Sequence, residues 1–154
     1  KWDSALAQYK KVIQDYPRSV RGLDLPIFIA QYYKTKYQPE KMIAAYRDAI
    51  DHYLQMSEQY PKSQLAFYTD RLAGRCYMEL KEWQNALNIF ERIMQTYKGK
   101  ADLSDILLNI ALIYSHELKD KEKATAAAQQ VIRDYPNSNF RKAAEFLLKE
   151  WEKK

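Results

Sequence analysis

The string Tyr-Pro-x-Ser recurs in this chain, and its surroundings recur with it. It stands at Tyr16-Pro17-Arg18-Ser19, at Tyr60-Pro61-Lys62-Ser63 and at Tyr135-Pro136-Asn137-Ser138, with a degenerate copy at Tyr97-Lys98-Gly99-Lys100. Twelve residues before Pro17, Pro61, Lys98 and Pro136 stand Ala5, Ala49, Ala86 and Ala124. Thirteen residues after the first three stand Ala30, Gly74 and Ala111. Agreement at seven positions marks an internal repeat, and a repeat restricts the fold more than any composition does.

The pattern describes a helix hairpin. Between each alanine and its Tyr-Pro-x-Ser string, apolar residues recur at steps of three and four. Trp83, Ala86, Leu87, Phe90, Ile93, Met94 and Tyr97 make the clearest face. Proline ends each helix, because it pushes the preceding residue out of the helical region and has no N–H to donate. Ser19, Ser63 and Ser138 are placed to cap the next helix, and Gly99 to end one in a left-handed conformation. The small residues mark close helix contacts, with Gly74 expected to face Ala86 and Ala111 to face Ala124.

Helices are expected at about 2–16, 20–36, 39–59, 64–80, 83–97, 102–118, 121–135 and 138–152. From Ala30 to Ala49 is 19 residues, against 12 and 13 in the later pairs, so the helix opened by Pro39 should be about two turns longer. Pro26 conflicts with its helical surroundings, which predicts a kink there or a helix start near Asp24. The last helix should bury Phe140, Ala143, Ala144, Leu147 and Trp151. The units are 1–19 (a half repeat), 20–63, 64–100, 101–138 and a capping helix over 139–154 of one domain. The unpartnered first helix suggests a fragment of a longer chain.

The pattern resembles the tetratricopeptide repeat. Residues 67–100 supply Gly74, Tyr77, Ala86 and Phe90, the first partial copy Ala5, Tyr9 and Pro17, and the last full copy Ala111, Tyr114, Ala124 and Pro136. Lys98 and Ala128 depart from the family pattern. The resemblance implies an all-α fold, a right-handed superhelical α-solenoid of antiparallel helix pairs. The alanines are 44, 37 and 38 residues apart. The form Tyr-Pro-x-Ser, about ten residues, Gly, Tyr, then Ala and Phe is similar to repeats of bacterial envelope proteins, such as the outer-membrane β-barrel assembly lipoprotein and the Tol–Pal-associated cell-division coordinator. That resemblance implies a periplasmic setting, in solution or anchored to a membrane; a cytoplasmic one is also compatible with a single cysteine.

Charge and chemistry exclude several other functions. The net charge of +5 is spread over the chain with no basic tract, so nucleic-acid binding is not expected. No apolar run approaches the roughly 18 residues of a membrane span. One cysteine allows no internal disulfide, and three glycines allow no phosphate-cradling loop. His52 and His116 lie in different repeats, and Cys76 reads as a packed thiol. No catalytic residue, metal site or cofactor is expected.

The expected function is a non-catalytic protein–protein interaction scaffold with a protein or peptide segment as partner. The family resemblance implies that the first helix of each pair lines a concave face. The positions carried over are Asp24, Ile27, Gln31, Lys34 and Thr35, then Tyr68, Arg71, Arg75, Met78 and Glu79, then Asp105, Leu108, Leu112, Ser115 and His116. The predicted binding residues are Gln31, Lys34, Tyr68, Arg71, Arg75, Met78, Asp105 and His116, with Arg71 and Arg75 one turn apart and suited to a carboxylate. Internal ion pairing of the two arginines is the alternative. A bacterial envelope assembly factor is the specific version. A structural segment that self-associates through unpaired terminal helices, or an accessory domain of a cell-wall enzyme, are the other two.

Overall fold

Each copy of the repeated string ends one helix and opens the next. The computed structural model describes residues 1–153, and they are all-α, with no strand among them. The helices are α1 (Trp2–Asp15), α2 (Val20–Thr35), α3 (Pro39–Gln59), α4 (Gln64–Glu79), α5 (Trp83–Tyr97), α6 (Ser104–Leu112), α7 (Lys121–Asp134) and α8 (Arg141–Glu152). Tyr16, Tyr60 and Tyr135, each before a proline, leave the helix in one conformation, with φ/ψ of −132°/53°, −128°/57° and −131°/57°. The amides of Ser19, Ser63, Lys100 and Ser138 each donate to the tyrosine carbonyl three residues back. The degenerate copy therefore closes with the same hydrogen bond, and Gly99 takes the left-handed φ of 73° expected of it.

Capping follows the serines at two of the three sites. The Ser19 and Ser63 side chains accept from the Gly22 and Ala66 amides, at 3.0 Å each. Ser138 does not cap at the expected place. Its hydroxyl accepts from the Phe140 amide at 3.1 Å and meets the Ser104 hydroxyl at 2.5 Å, and α8 begins only at Arg141. Phe140 consequently lies in the turn and is exposed, while Ala144 and Trp151 are the buried residues of α8. Likewise α6 begins at Ser104, not 102, because the Asp102 carboxylate accepts from both the amide and the hydroxyl of Ser104.

Turns within the pairs share a second device. Tyr37, Lys81 and Lys119 all adopt positive φ, between 53° and 59°. The amides of Gln38 and Glu82 reach back to the carbonyls of Tyr33 and Tyr77, the long bond of a Schellman closure. In the third pair the corresponding amide, Asp120, reaches Tyr114, one residue further. The cause is a π-turn over Ile113–Glu117, where a continuous α-helix to 118 was expected. It absorbs the one residue by which Ala111–Ala124 exceeds Gly74–Ala86.

Two compact units are present, Lys1–Ile89 and Phe90 onward. In the first, α2 packs on α1 and α3, α3 on α4, and α2 also touches α4. Its core holds Ile29, Ala30, Ala45, Tyr46, Ala49, Ile50, Tyr53, Leu72, Ala73 and Cys76. In the second, α7 packs on α6 and α8. The repeat positions Ala30, Ala49, Gly74, Ala86, Ala111 and Ala124 are all buried, as close helix contacts require. Ala5 is only half-buried, since α1 buries no residue fully. The α3 helix has the expected 21 residues. The α2 helix runs through Pro26, and the Tyr53 hydroxyl stands at the interruption: it donates to the Leu23 carbonyl at 2.6 Å and accepts from the Ile27 amide at 3.3 Å.

Candidate partner-binding site

Helices α2 and α4 are joined in register by the first helical period of the chain. Tyr68 donates from its hydroxyl to the Asp24 carboxylate at 3.0 Å, and Lys34 pairs with Glu79 at 2.5 Å. The sequence separations are 44 and 45 residues, close to the Pro17–Pro61 spacing of 44. Between these two cross-links lie Ile27 and Gln31 on α2 and Arg71 and Arg75 on α4. Gln31, Lys34, Tyr68 and Arg75 are exposed, and Arg71 and Met78 are half-buried.

The arginines differ in their surroundings. The Arg71 guanidinium lies 5.2 Å from the centre of the Phe67 ring, a cation–π contact that holds its stem against α4. Arg75 stands one turn on, and its charge reaches the hydroxyls of Tyr46 and Tyr68. Internal pairing of the two arginines with Asp70, Glu79 or an adjacent repeat is the alternative; of these groups, Glu79 is paired with Lys34. The Tyr68 hydroxyl has its pKa raised, by burial first and then by the hydrogen bond to Asp24, so it stays a donor at neutral pH. Arg75 is an exposed cationic donor beside Arg71 on a rigid helix, a group suited to a carboxylate.

Asp105 and His116 belong to the second unit. Asp105 is half-buried near the start of α6, and His116 is exposed on the π-turn. Leu108 and Leu112, expected either to line a groove or to pack, are half-buried, whereas Ile106, Leu107, Ile110 and Ala111 carry the α6 core.

The remaining reactive groups are packed. Cys76 is buried, and burial pushes its thiol up to about 12, which keeps it protonated at neutral pH. His52 has its pKa lowered by burial, opposed by the nearby carbonyls of Pro17 and Gly22. Its ring borders a cleft of about 590 Å³ between α1, α2 and α3, floored by Ile13, Pro26, Ile29 and Ala49, which the repeat pattern did not foretell. No group of three His, Cys, Asp or Glu side chains suited to a metal occurs among the described residues. No helix among them is long and apolar enough to cross a membrane.

Helices that pack on their sequence neighbours, with small residues buried at the repeat positions from Ala30 to Ala124, fit an all-α repeat protein of the solenoid class. Residues 71–99 and 105–138 match the family model of the tetratricopeptide repeat. These two segments are similar to tetratricopeptide repeats, and such repeats suggest a protein–protein interaction scaffold. No curated protein matches the chain.

Proposed function

We propose that the α2/α4 face binds an acidic segment of a protein partner. The observation that supports this is Arg75, exposed between the Asp24–Tyr68 and Lys34–Glu79 cross-links and one turn from Arg71. The cross-links hold the two helices at fixed spacing, so the cations are positioned before a ligand arrives. Tyr68 adds a rigid aromatic edge, and Gln31 a side-chain amide. A blocked oligoglutamate peptide is expected to bind the wild-type protein with an affinity that falls as salt rises. The double variant Arg71→Glu, Arg75→Glu should lose more than about tenfold in affinity, each charged hydrogen bond being worth about 1.5–3 kcal/mol. Circular dichroism should show unchanged helix content. Equal binding by the variant and the wild type would remove this face from consideration.

The motif form, Tyr-Pro-x-Ser followed by Gly74, Tyr77, Ala86 and Phe90, is what supports a bacterial envelope setting, periplasmic and engaged in assembly, by its similarity to repeats of such proteins. Fractionation of the source cells is the test, and recovery in the cytoplasm would count against it. A second reading, self-association through the terminal helices, is favoured by Tyr16 and Val20, which are 65% and 75% exposed beside α1. A mass by light scattering that stays at one chain as concentration rises would dismiss it.

A further inference from the structure

Tyr46 on α3 is fully buried, and no protein group partners its hydroxyl. Its ring belongs to the core cluster that contains Ala30 of α2 and Ala73 and Cys76 of α4. Lys34 stands one turn beyond Ala30, and Glu79 three residues beyond Cys76, so each shares a helix side with a residue of that cluster. Their ion pair therefore joins α2 and α4 about one turn beyond the cluster to which Tyr46 belongs. The electrostatics agree: burial is the main influence on the Tyr46 hydroxyl, pushing it up to about 12, with the Glu79 charge next. A solvent-exposed ion pair contributes little to stability, whereas a buried hydroxyl without a partner is costly.

We propose that Glu79 is an exchangeable lid over Tyr46. When an acidic segment docks on the α2/α4 face, its carboxylate takes Lys34, and Glu79 turns inward to accept a hydrogen bond from the Tyr46 hydroxyl. The bond gained in the core offsets the ion pair given up at the surface. The face then offers a partner Lys34 in addition to Arg75. Glu79 also screens Lys34 from ligands too weakly acidic to displace it. The inference rests on the acidic-segment reading above and assigns Tyr46 a positioning role without contact to the ligand.

The test titrates the blocked oligoglutamate peptide into four proteins: wild type, Tyr46→Phe, Glu79→Ala and the double variant. Tyr46→Phe is nearly isosteric and removes an unpaired polar atom, so it should raise the melting temperature of the free protein. It should nevertheless weaken peptide affinity by about five- to tenfold, because Glu79 loses its inward acceptor role. Glu79→Ala should tighten binding, and on that background Tyr46→Phe should have no further effect on affinity. The lid is overturned if Tyr46→Phe leaves affinity unchanged, or changes it by the same factor with and without Glu79. If Arg71→Glu, Arg75→Glu still abolishes binding in that case, the acidic-segment site stands and only the lid falls. Absence of wild-type binding overturns both.

Discussion

Replacing Gly22 by alanine is expected to destabilise the first unit by about 3 kcal/mol. A Cβ at Gly22 would lie 2.0 Å from the Tyr16 carbonyl oxygen, 2.9 Å from its carbon and 3.1 Å from the Pro17 carbonyl carbon. These are backbone atoms, so no side-chain rotation relieves the clash. The Tyr16 carbonyl is also fixed from the other side, since it accepts from the Ser19 hydroxyl at 2.8 Å and the Ser19 amide at 3.1 Å. Relief would require α1 to move off α2 and would break the Ser19 cap. Ala66 occupies the equivalent place in α4 and is buried without such conflict. The two turns differ at one residue: Lys62 has a φ of 58°, while Arg18 is not in the left-handed region. Ala66→Gly should therefore cost only about 1 kcal/mol, the ordinary helical penalty. Urea unfolding of both variants checks the contrast, and a Gly22→Ala midpoint equal to that of the wild type would show that the turn yields.

The contrast between Gly22 and Ala66 also shows where sequence reasoning reaches its limit. Repeat arithmetic located the helices because hairpin packing imposes one small residue per contact, and such a constraint recurs at a fixed spacing. Gly22 serves a single close approach in one turn, so nothing elsewhere in the chain repeats it. The π-turn lies between these cases. Its signal was the 13-residue interval from Ala111 to Ala124, where the preceding pair has 12, and an odd residue inside a fixed hairpin has to be absorbed somewhere. Ser138 misled for a different reason: its hydroxyl is drawn to Ser104, a tertiary contact 34 residues away that a local capping rule does not contain.

At the candidate site, the positions on α2 and α4 were legible but their bonding was not. The family pattern placed Asp24 and Tyr68 at equivalent positions of successive repeats, and equivalent positions stack when helices run in register. Opposite chemistry at such positions is therefore a usable signal for a cross-link, and Lys34 with Glu79 obeys it to within one residue. Tyr46 carried no such mark. It is fully buried in the core that residues of α2, α3 and α4 share, a consequence of packing that repeat spacing alone does not state.

Removal of the Tyr53 hydroxyl is expected to cost about 2 kcal/mol, for a reason that lies in another helix. Pro26 has no N–H, so the Gly22 carbonyl receives no bond from four residues on, and the proline ring crowds the preceding turn. The next pair along the ladder, the Ile27 amide and the Leu23 carbonyl, are both engaged by the inserted hydroxyl, at 3.3 Å and 2.6 Å. Tyr53 is fully buried, and burial together with a buried thiol nearby raises its pKa, so it remains a neutral donor over the whole working range. In Tyr53→Phe the two backbone groups must close on each other against the proline ring or remain unpaired in the core. Hydrogen exchange at the Ile27 amide should accelerate along with the loss of global stability. Pro26→Ala supplies the missing N–H and lets the ladder close, so in that background the same Tyr53→Phe change should cost much less. The coupling between the two sites is then the measured quantity. Additive effects of Pro26→Ala and Tyr53→Phe would mean that the hydroxyl does not replace the interrupted ladder, and that α2 tolerates its proline by other means.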